Sequence, residues 1–147
     1  MESLALPDLR EISLDRLDGR RLLDLEADPV RAVREGVLPE AFDRLQDFLD
    51  VSASTLAEVL DIAPRTLARR RQTGDRLKPE ESDRLLRTAR VAELALAVFE
   101  EASAAATWFT APNARLGGET PLARTDTAPG AREVEAMLFA IEFSSAA

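Results

Sequence analysis

The sequence of 147 residues contains no cysteine, histidine or tyrosine. These absences exclude disulfides, thiol nucleophiles, imidazole bases and nearly every site for a soft metal. Catalysis would have to rely on carboxylates alone, and the candidates are Glu80, Glu81, Asp83, Glu133 and Glu135. Acids in the first turn of a helix usually interact with the helix dipole. We therefore predict that the protein is not an enzyme and binds neither a cofactor nor a metal.

Long apolar runs are also missing. No segment approaches the roughly 20 apolar residues that are needed to cross a bilayer. The N-terminal stretch MESLALPDLRE lacks the basic flank and apolar run of a secretion signal. We expect a cytoplasmic protein without membrane contact, and the apolar content of 46% is ordinary for a globular fold.

Positive charge is scarce in the chain as a whole but concentrated in one segment. The net charge of −8 argues against nucleic-acid binding, because phosphate contacts need local positive charge. Residues 65–90, however, contain nine Lys or Arg side chains against four acids. The sequence thus predicts a basic band within an acidic protein. The acidic remainder would oppose nonspecific DNA binding or face a basic partner.

A helix-turn-helix pattern occupies residues 54–71. Leu56, Val59 and Leu60 share one face of a short helix, a bend follows around Ile62, and Pro64 starts a second helix. Asp61 stands in the bend where glycine is common, and aspartate tolerates the left-handed conformation better than most residues.

The second helix of this pair should read DNA through its outward face. Leu67 points inward, whereas Arg65, Arg69 and Gln72 lie opposite it. Arginine can bind guanine and glutamine can bind adenine in the major groove. The alternative is a solvated basic face on an ordinary helical hairpin. The predicted DNA contacts are Arg65, Thr66, Arg69, Arg70, Arg71 and Gln72, although Arg70 and Arg71 lean toward the packed edge.

Capping residues and apolar spacing predict the helices around this pair. Asp28 and Pro29 start a short helix that ends at Gly36, and Pro39 starts the next. Ser52 or Ser54 caps the helix after that one. A long helix begins at Lys78 and Pro79 and runs to about Glu101. This helix should connect the two halves of the protein. Residues 1–27 show no convincing periodicity.

The C-terminal part is predicted to contain a turn-rich loop and two more helices. Thr120 and Pro121 start a short helix that Gly130 breaks, and a last helix covers residues 131–143. Phe139 and Phe143 lie on the opposite side of that helix from its core face. This aromatic pair must be covered by something. Burial within the domain, a homodimer contact and a different partner protein remain open.

Three stretches together resemble a known family. They are RTLARRRQTGDRLKPEESDRLLRTARV (65–91), VFEEASAAATWFTAPNARLGGETPL (98–122) and the terminal Ile141-Glu142-Phe143. The combination resembles the Xre-type antitoxins that have a C-terminal ParS-like domain and pair with RES-domain toxins. The resemblance covers roughly residues 36–143.

This resemblance implies a function without chemistry of its own. The helix-turn-helix part would bind the operator of its own operon, and the C-terminal part would bind and block a toxin that consumes NAD. The implied toxin-binding residues are Asn113, Arg115, Leu116, Gly117, Gly118, Phe139, Ile141, Glu142 and Phe143. Trp108 and Leu116 favour a role in the core because they bury large apolar areas. The sequence departs from the family at Ser144, where a glycine is usual, and at Asp61.

The sequence therefore predicts an all-α protein in three parts. Residues 1–35 form a segment of uncertain role that is a candidate for dimerisation, residues 36–101 form the Xre-like domain, and residues 102–147 form the toxin-binding domain. We expect a homodimer within a larger toxin-antitoxin complex, because one short helix contacts few base pairs. The competing hypothesis is a stand-alone transcriptional regulator whose C-terminal part dimerises or senses a ligand.

Overall fold

The computed structural model describes residues 13–145, which contain α-helices, two short 3-10 turns and no strand. The all-α prediction is confirmed. The helices are α1 (Arg20–Leu23), α2 (Pro29–Glu35), α3 (Pro39–Leu49), α4 (Ala53–Leu60), α5 (Pro64–Thr73), α6 (Pro79–Phe99), α7 (Ala102–Thr110), α8 (Pro121–Arg124) and α9 (Ala128–Ser145). The 3-10 turns cover Leu14–Arg16 and Ala114–Leu116.

Capping residues set the two ends of α2 as predicted. The Asp28 side chain accepts a hydrogen bond from the Arg31 N–H at 2.9 Å, and α2 ends at Gly36 with φ 81°. A Cβ on Gly36 would lie 2.2 Å from the carbonyl oxygen of Leu77. Glycine is therefore required at this position both for its backbone conformation and for the close approach of the chain after α5.

Helix α6 is the central element of the fold. It contains 21 residues, which corresponds to about 32 Å at 1.5 Å per residue. Its apolar face is buried at Leu85, Ala89, Ala92 and Leu96. Helices α1, α2, α7 and α9 pack against it. The helix-turn-helix pair, through α4, and the C-terminal helices, through α7 and α9, thus pack on the same helix.

Residues 17–23, which precede Asp28, belong to this core. Leu17, Leu22 and Leu23 are buried, and the Glu93 carboxylate of α6 accepts hydrogen bonds from the N–H groups of Gly19 and Leu22. Leu17 follows the first 3-10 turn, and Leu22 and Leu23 lie in the four-residue helix α1. Because neither element is long enough to repeat a pattern, the leucines show no period in the sequence. Part of the predicted segment 1–35 is thus packed on α6. Residues 1–12 lie outside the described part of the chain.

Gly130 does not break a helix, and that prediction was wrong. The short helix α8 ends at Arg124, and α9 already begins at Ala128. A Cβ on Gly130 would lie 1.8 Å from the carbonyl oxygen of Arg124. The glycine is therefore inside the first turn of α9, where only a residue without a side chain allows the end of α8 to come so close.

Candidate functional site

Helices α4 and α5 form the predicted helix-turn-helix. Ser52 caps α4 by accepting the Thr55 N–H at 3.1 Å. Asp61 ends α4 in the left-handed conformation with φ 54°, and the Ile62 N–H donates to the Ala57 carbonyl at 2.9 Å. The Arg84 Nε of α6 donates to the Leu60 carbonyl at 2.7 Å. The bend therefore forms without glycine and is held against the central helix.

The outward face of α5 carries three polar side chains that are free to contact a ligand. Arg65, Arg69 and Gln72 are exposed, and their side chains have no hydrogen bond or ion pair within residues 13–145. Thr66 is half-buried beside them, and Leu67 is buried on the opposite face. This arrangement presents two guanidinium groups and one amide together on one side of a helix.

The structure gives Arg70 and Arg71 different positions. Arg70 is only 4% exposed, and its guanidinium is bound to the Glu81 carboxylate. A DNA contact of Arg70, which the sequence predicted, would require this buried pair to break. Arg71 pairs with Asp43 and lies over the Phe42 ring, with 5.5 Å between its guanidinium carbon and the ring centroid. A DNA contact of Arg71 would compete with the Asp43 carboxylate.

Much of the basic band forms hydrogen bonds or ion pairs within the protein. The guanidinium of Arg76 donates to the Gly36 carbonyl, and Arg90 pairs with Glu135 of α9. Arg87 donates to the carbonyls of Thr125 and Asp126 at 3.1 and 2.9 Å, and burial lowers its pKa. Counting the segment 65–90 for charge thus overstates its surface potential. Within residues 65–90, the exposed cationic side chains without a described partner are Arg65, Arg69 and Lys78.

The predicted loop signature in the C-terminal part is held together by Asn113. Its side-chain oxygen accepts the Arg115 N–H at 3.0 Å, and its carbonyl accepts the N–H groups of Leu116 and Gly118, both at 3.0 Å. Leu116 is 4% exposed and belongs to the core, as its apolar character predicted. In this structure Leu116 therefore packs in the core, and its contact with a toxin stays a prediction.

Other residues of this loop remain at the surface. Gly117 and Gly118 have φ of 67° and 89°, and no heavy atom lies within 4 Å of an added Cβ at either position. Their backbone conformation, not packing within the chain, calls for glycine. Arg115 is exposed, and its side chain has no partner in the described range. The loop therefore offers a guanidinium and an uncovered stretch of backbone.

The last helix leaves part of its aromatic face uncovered. The rings of Phe139 and Phe143 stack with 6.3 Å between their centroids. Phe139 is half-buried beside Leu14, Leu17 and Leu94, whereas Phe143 is 69% exposed. Ile141 and Glu142 are half-buried. Burial within the domain therefore does not extend to Phe143, whose ring contacts Phe139 but stays 69% exposed among residues 13–145.

Sequence reasoning missed two buried acids that hold neighbouring segments of the chain together. Glu81 receives the hydrogen bond of Arg70 and also that of the Lys78 N–H at 2.8 Å. Glu93 is 1% exposed, and burial raises its pKa although backbone N–H groups partly oppose that shift. An acid inside the apolar run VAELALAV was the available signal for Glu93. Glu81 had been read only as a helix-dipole partner.

The described residues contain neither a metal-binding cluster nor a membrane-spanning helix. Among residues 13–145, no group of three or more acidic, histidine or cysteine side chains is placed to hold a metal ion. No helix in the same range is long and apolar enough to cross a membrane.

Comparison with known proteins matches both halves of the chain to antitoxin domains. Residues 28–90 match the antitoxin Xre-like helix-turn-helix domain, and residues 94–143 match the antitoxin Xre/MbcA/ParS C-terminal toxin-binding domain. The first match begins within the segment that we had separated as residues 1–35.

Two relatives named antitoxin Xre agree with these matches. One from Yersinia enterocolitica is 30% identical over 126 residues, which cover 85% of this chain and 80% of the relative. One from Pseudomonas putida is 42% identical over 77 residues, which cover 52% of this chain and 48% of the relative. The match thus spans about half the length of the Pseudomonas protein. By its similarity along most of its length, the chain belongs to the Xre antitoxin family, with a helix-turn-helix domain followed by a C-terminal toxin-binding domain.

Proposed function

We propose that this protein is an antitoxin that represses its own operon and neutralises a RES-domain toxin that degrades NAD. It acts by binding alone, in the cytoplasm, without an enzymatic activity. The observation that carries the proposal is the presence of two uncovered surfaces on one helical frame. These are the polar face of α5 and the aromatic end of α9. The RES identity of the toxin and its NAD chemistry rest on the family resemblance.

The first surface binds the operator through the major groove. Arg65, Arg69 and Gln72 point away from the domain, and arginine and glutamine are the side chains that bind guanine and adenine edges with two hydrogen bonds. Thr66 lies beside them. One recognition helix contacts few base pairs, so we propose a homodimer that reads a two-fold operator within the toxin-antitoxin complex.

Operator binding can be tested by fluorescence anisotropy with the DNA upstream of the gene. Arg69→Ala should weaken operator binding by about 1 to 3 kcal/mol if Arg69 contacts a base edge. Arg132→Ala is the matched control, because Arg132 is an exposed arginine of α9 without a described partner. If operator affinity is unchanged when Arg65, Arg69 and Gln72 are substituted together, α5 does not bind in the major groove.

The second surface binds the toxin. A stacked aromatic pair with one ring 69% exposed is the type of anchor that dominates protein interfaces. Ile141 and Glu142 lie between the two rings in the sequence, and we propose that this helix end provides the main contact. The loop with Asn113, Arg115, Gly117 and Gly118 would form the second part of the interface.

Toxin binding can be tested with the toxin encoded beside this gene. Phe143→Ala should weaken the complex by more than about 1 kcal/mol and reduce protection against NAD loss. Val30→Ala is the matched control, because Val30 is also an exposed apolar side chain, at 58%, but lies on α2. Isothermal titration calorimetry measures the affinity. Equal effects of the two substitutions would contradict the proposed surface.

The stand-alone regulator makes a different prediction. If no toxin gene neighbours this one, and the purified chain binds its operator while α9 mediates only self-association, the regulator hypothesis replaces the antitoxin proposal. Sedimentation of Phe143→Ala separates the two, because a loss of self-association is expected only for the regulator.

A further inference from the structure

Helix α5 is held to the rest of the protein by little apolar surface. Of its ten residues only Leu67 and Arg70 are buried. Leu67 alone would fix only one point of the helix, and the pair of Arg71 with Asp43 is partly exposed to solvent, which weakens its hold on the rotation of α5 about its axis. Additional fixed contacts are needed to define the direction in which its outward side chains point.

The ion pair between Arg70 and Glu81 provides such a contact. Both side chains are buried, with 4% and 8% of their surface exposed. Glu81 is itself fixed, because its carboxylate also accepts the Lys78 N–H at 2.8 Å in the first turn of α6. Arg70 thus ties α5 to the beginning of the central helix.

This contact determines the direction of the polar face. Successive residues of a helix are separated by about 100°. Arg65, Arg69 and Gln72 therefore lie about 100° to 160° to one side of Arg70 when viewed along the axis of α5. If Arg70 is fixed on α6, these three side chains point to solvent together. A rotation that releases Arg70 would turn all three away from that direction.

We propose that Arg70 and Glu81 are positioning residues that determine how well this protein distinguishes its operator from other DNA. This inference rests on the proposed operator binding. Arg70 does not neutralise a phosphate, because its charge is buried and paired with Glu81. Loss of the pair should therefore reduce binding to the operator and leave the sequence-independent attraction to the DNA backbone unchanged.

The decisive variant is the full-length double substitution Arg70→Met with Glu81→Gln. It removes both buried charges together, so neither is left unpaired. The Gln oxygen can still accept the Lys78 N–H. Operator and unrelated duplexes are compared by anisotropy at several salt concentrations, with binding of the co-encoded toxin as a check on the C-terminal domain.

We expect operator affinity to fall at least tenfold. Affinity for the unrelated duplex should change less than twofold, with the same salt dependence, and toxin binding should be retained. A parallel loss for both duplexes, with a salt slope that is smaller by about 1, would show that Arg70 contacts a phosphate and would overturn the inference. Unchanged discrimination would overturn it as well.

Glu81→Asp provides a second test if the double variant does not fold. It keeps the charge but shortens the side chain by one methylene, about 1.5 Å, so the carboxylate cannot reach Arg70 and Lys78 N–H without moving α5. The ratio of operator affinity to affinity for the unrelated duplex should fall at least threefold. A ratio equal to that of the wild type would contradict the inference. If the wild-type protein itself does not distinguish the duplexes, the proposed function fails. If it does and the variants match it, only this inference fails.

Discussion

Removal of the Glu93 carboxylate should release the N-terminal segment from the central helix. Its two oxygens accept the N–H groups of Leu22 and Gly19 at 2.7 and 2.9 Å. These donors belong to the N-terminal end of α1, a helix of four residues. Such a short helix cannot be stable alone. Glu93 therefore satisfies donors that would otherwise remain buried without a partner.

The magnitude follows from the number of donors. A buried donor left without its partner costs about 1 to 3 kcal/mol. Glu93→Ala leaves two such donors, so the free energy of unfolding should fall by about 2 to 6 kcal/mol. This is a large part of the 5 to about 15 kcal/mol that is typical of a small protein. Glu93→Gln keeps one acceptor oxygen and should lose about half as much.

Urea denaturation followed by circular dichroism measures this loss. Hydrogen exchange should show faster exchange at the Gly19 and Leu22 amides in the variant. Glu58→Ala is the control, because Glu58 is an exposed acid of α4. Surface substitutions change the free energy of unfolding by about 0.5 kcal/mol or less. If Glu93→Ala changes it by no more than this, the carboxylate does not anchor the segment.

Two further predictions concern pH and packing. Burial raises the pKa of Glu93 above its ordinary value near 4.5. The stabilising contribution of this shift is therefore fully present below that value and is lost as pH rises through the higher pKa of the folded protein. The unfolding free energy of the wild type relative to Glu93→Gln should consequently decrease from pH 4.5 upward, and an increase would contradict the shift. Gly130→Ala should lower the melting temperature, because its Cβ would lie 1.8 Å from the Arg124 carbonyl oxygen and such overpacking costs about 1 to 3 kcal/mol or more. Gly117→Ala, which meets no heavy atom within 4 Å, should cost less in the same calorimetric measurement, and the opposite order would refute the packing argument.

Local signals in the sequence were sufficient for most of the helices. Asp28 with Pro29, Gly36 and Ser52 marked helix ends that the structure confirms, because capping depends on neighbouring residues alone. The bend at Asp61 also formed in the expected left-handed conformation.

Features that depend on distant contacts could not be predicted in the same way. Gly130 looked like a helix breaker, but its role comes from the carbonyl of Arg124 beyond the turn. Arg69 and Arg70 are adjacent and chemically identical, yet one is exposed and the other is paired with an acid eleven positions later. Only the approach of α5 to the beginning of α6 distinguishes them. The anchoring of residues 17–23 depends in the same way on Glu93, about 70 positions away.

The protein is proposed to act through two surfaces that work separately. The most direct test measures NAD remaining when the co-encoded toxin is titrated with a variant in which Arg65, Arg69 and Gln72 are all changed to alanine. We predict that this variant no longer binds the operator but protects NAD as completely as the wild type at equal amounts. Continued NAD consumption in a stable complex with the toxin, or loss of protection together with operator binding, would contradict the proposal.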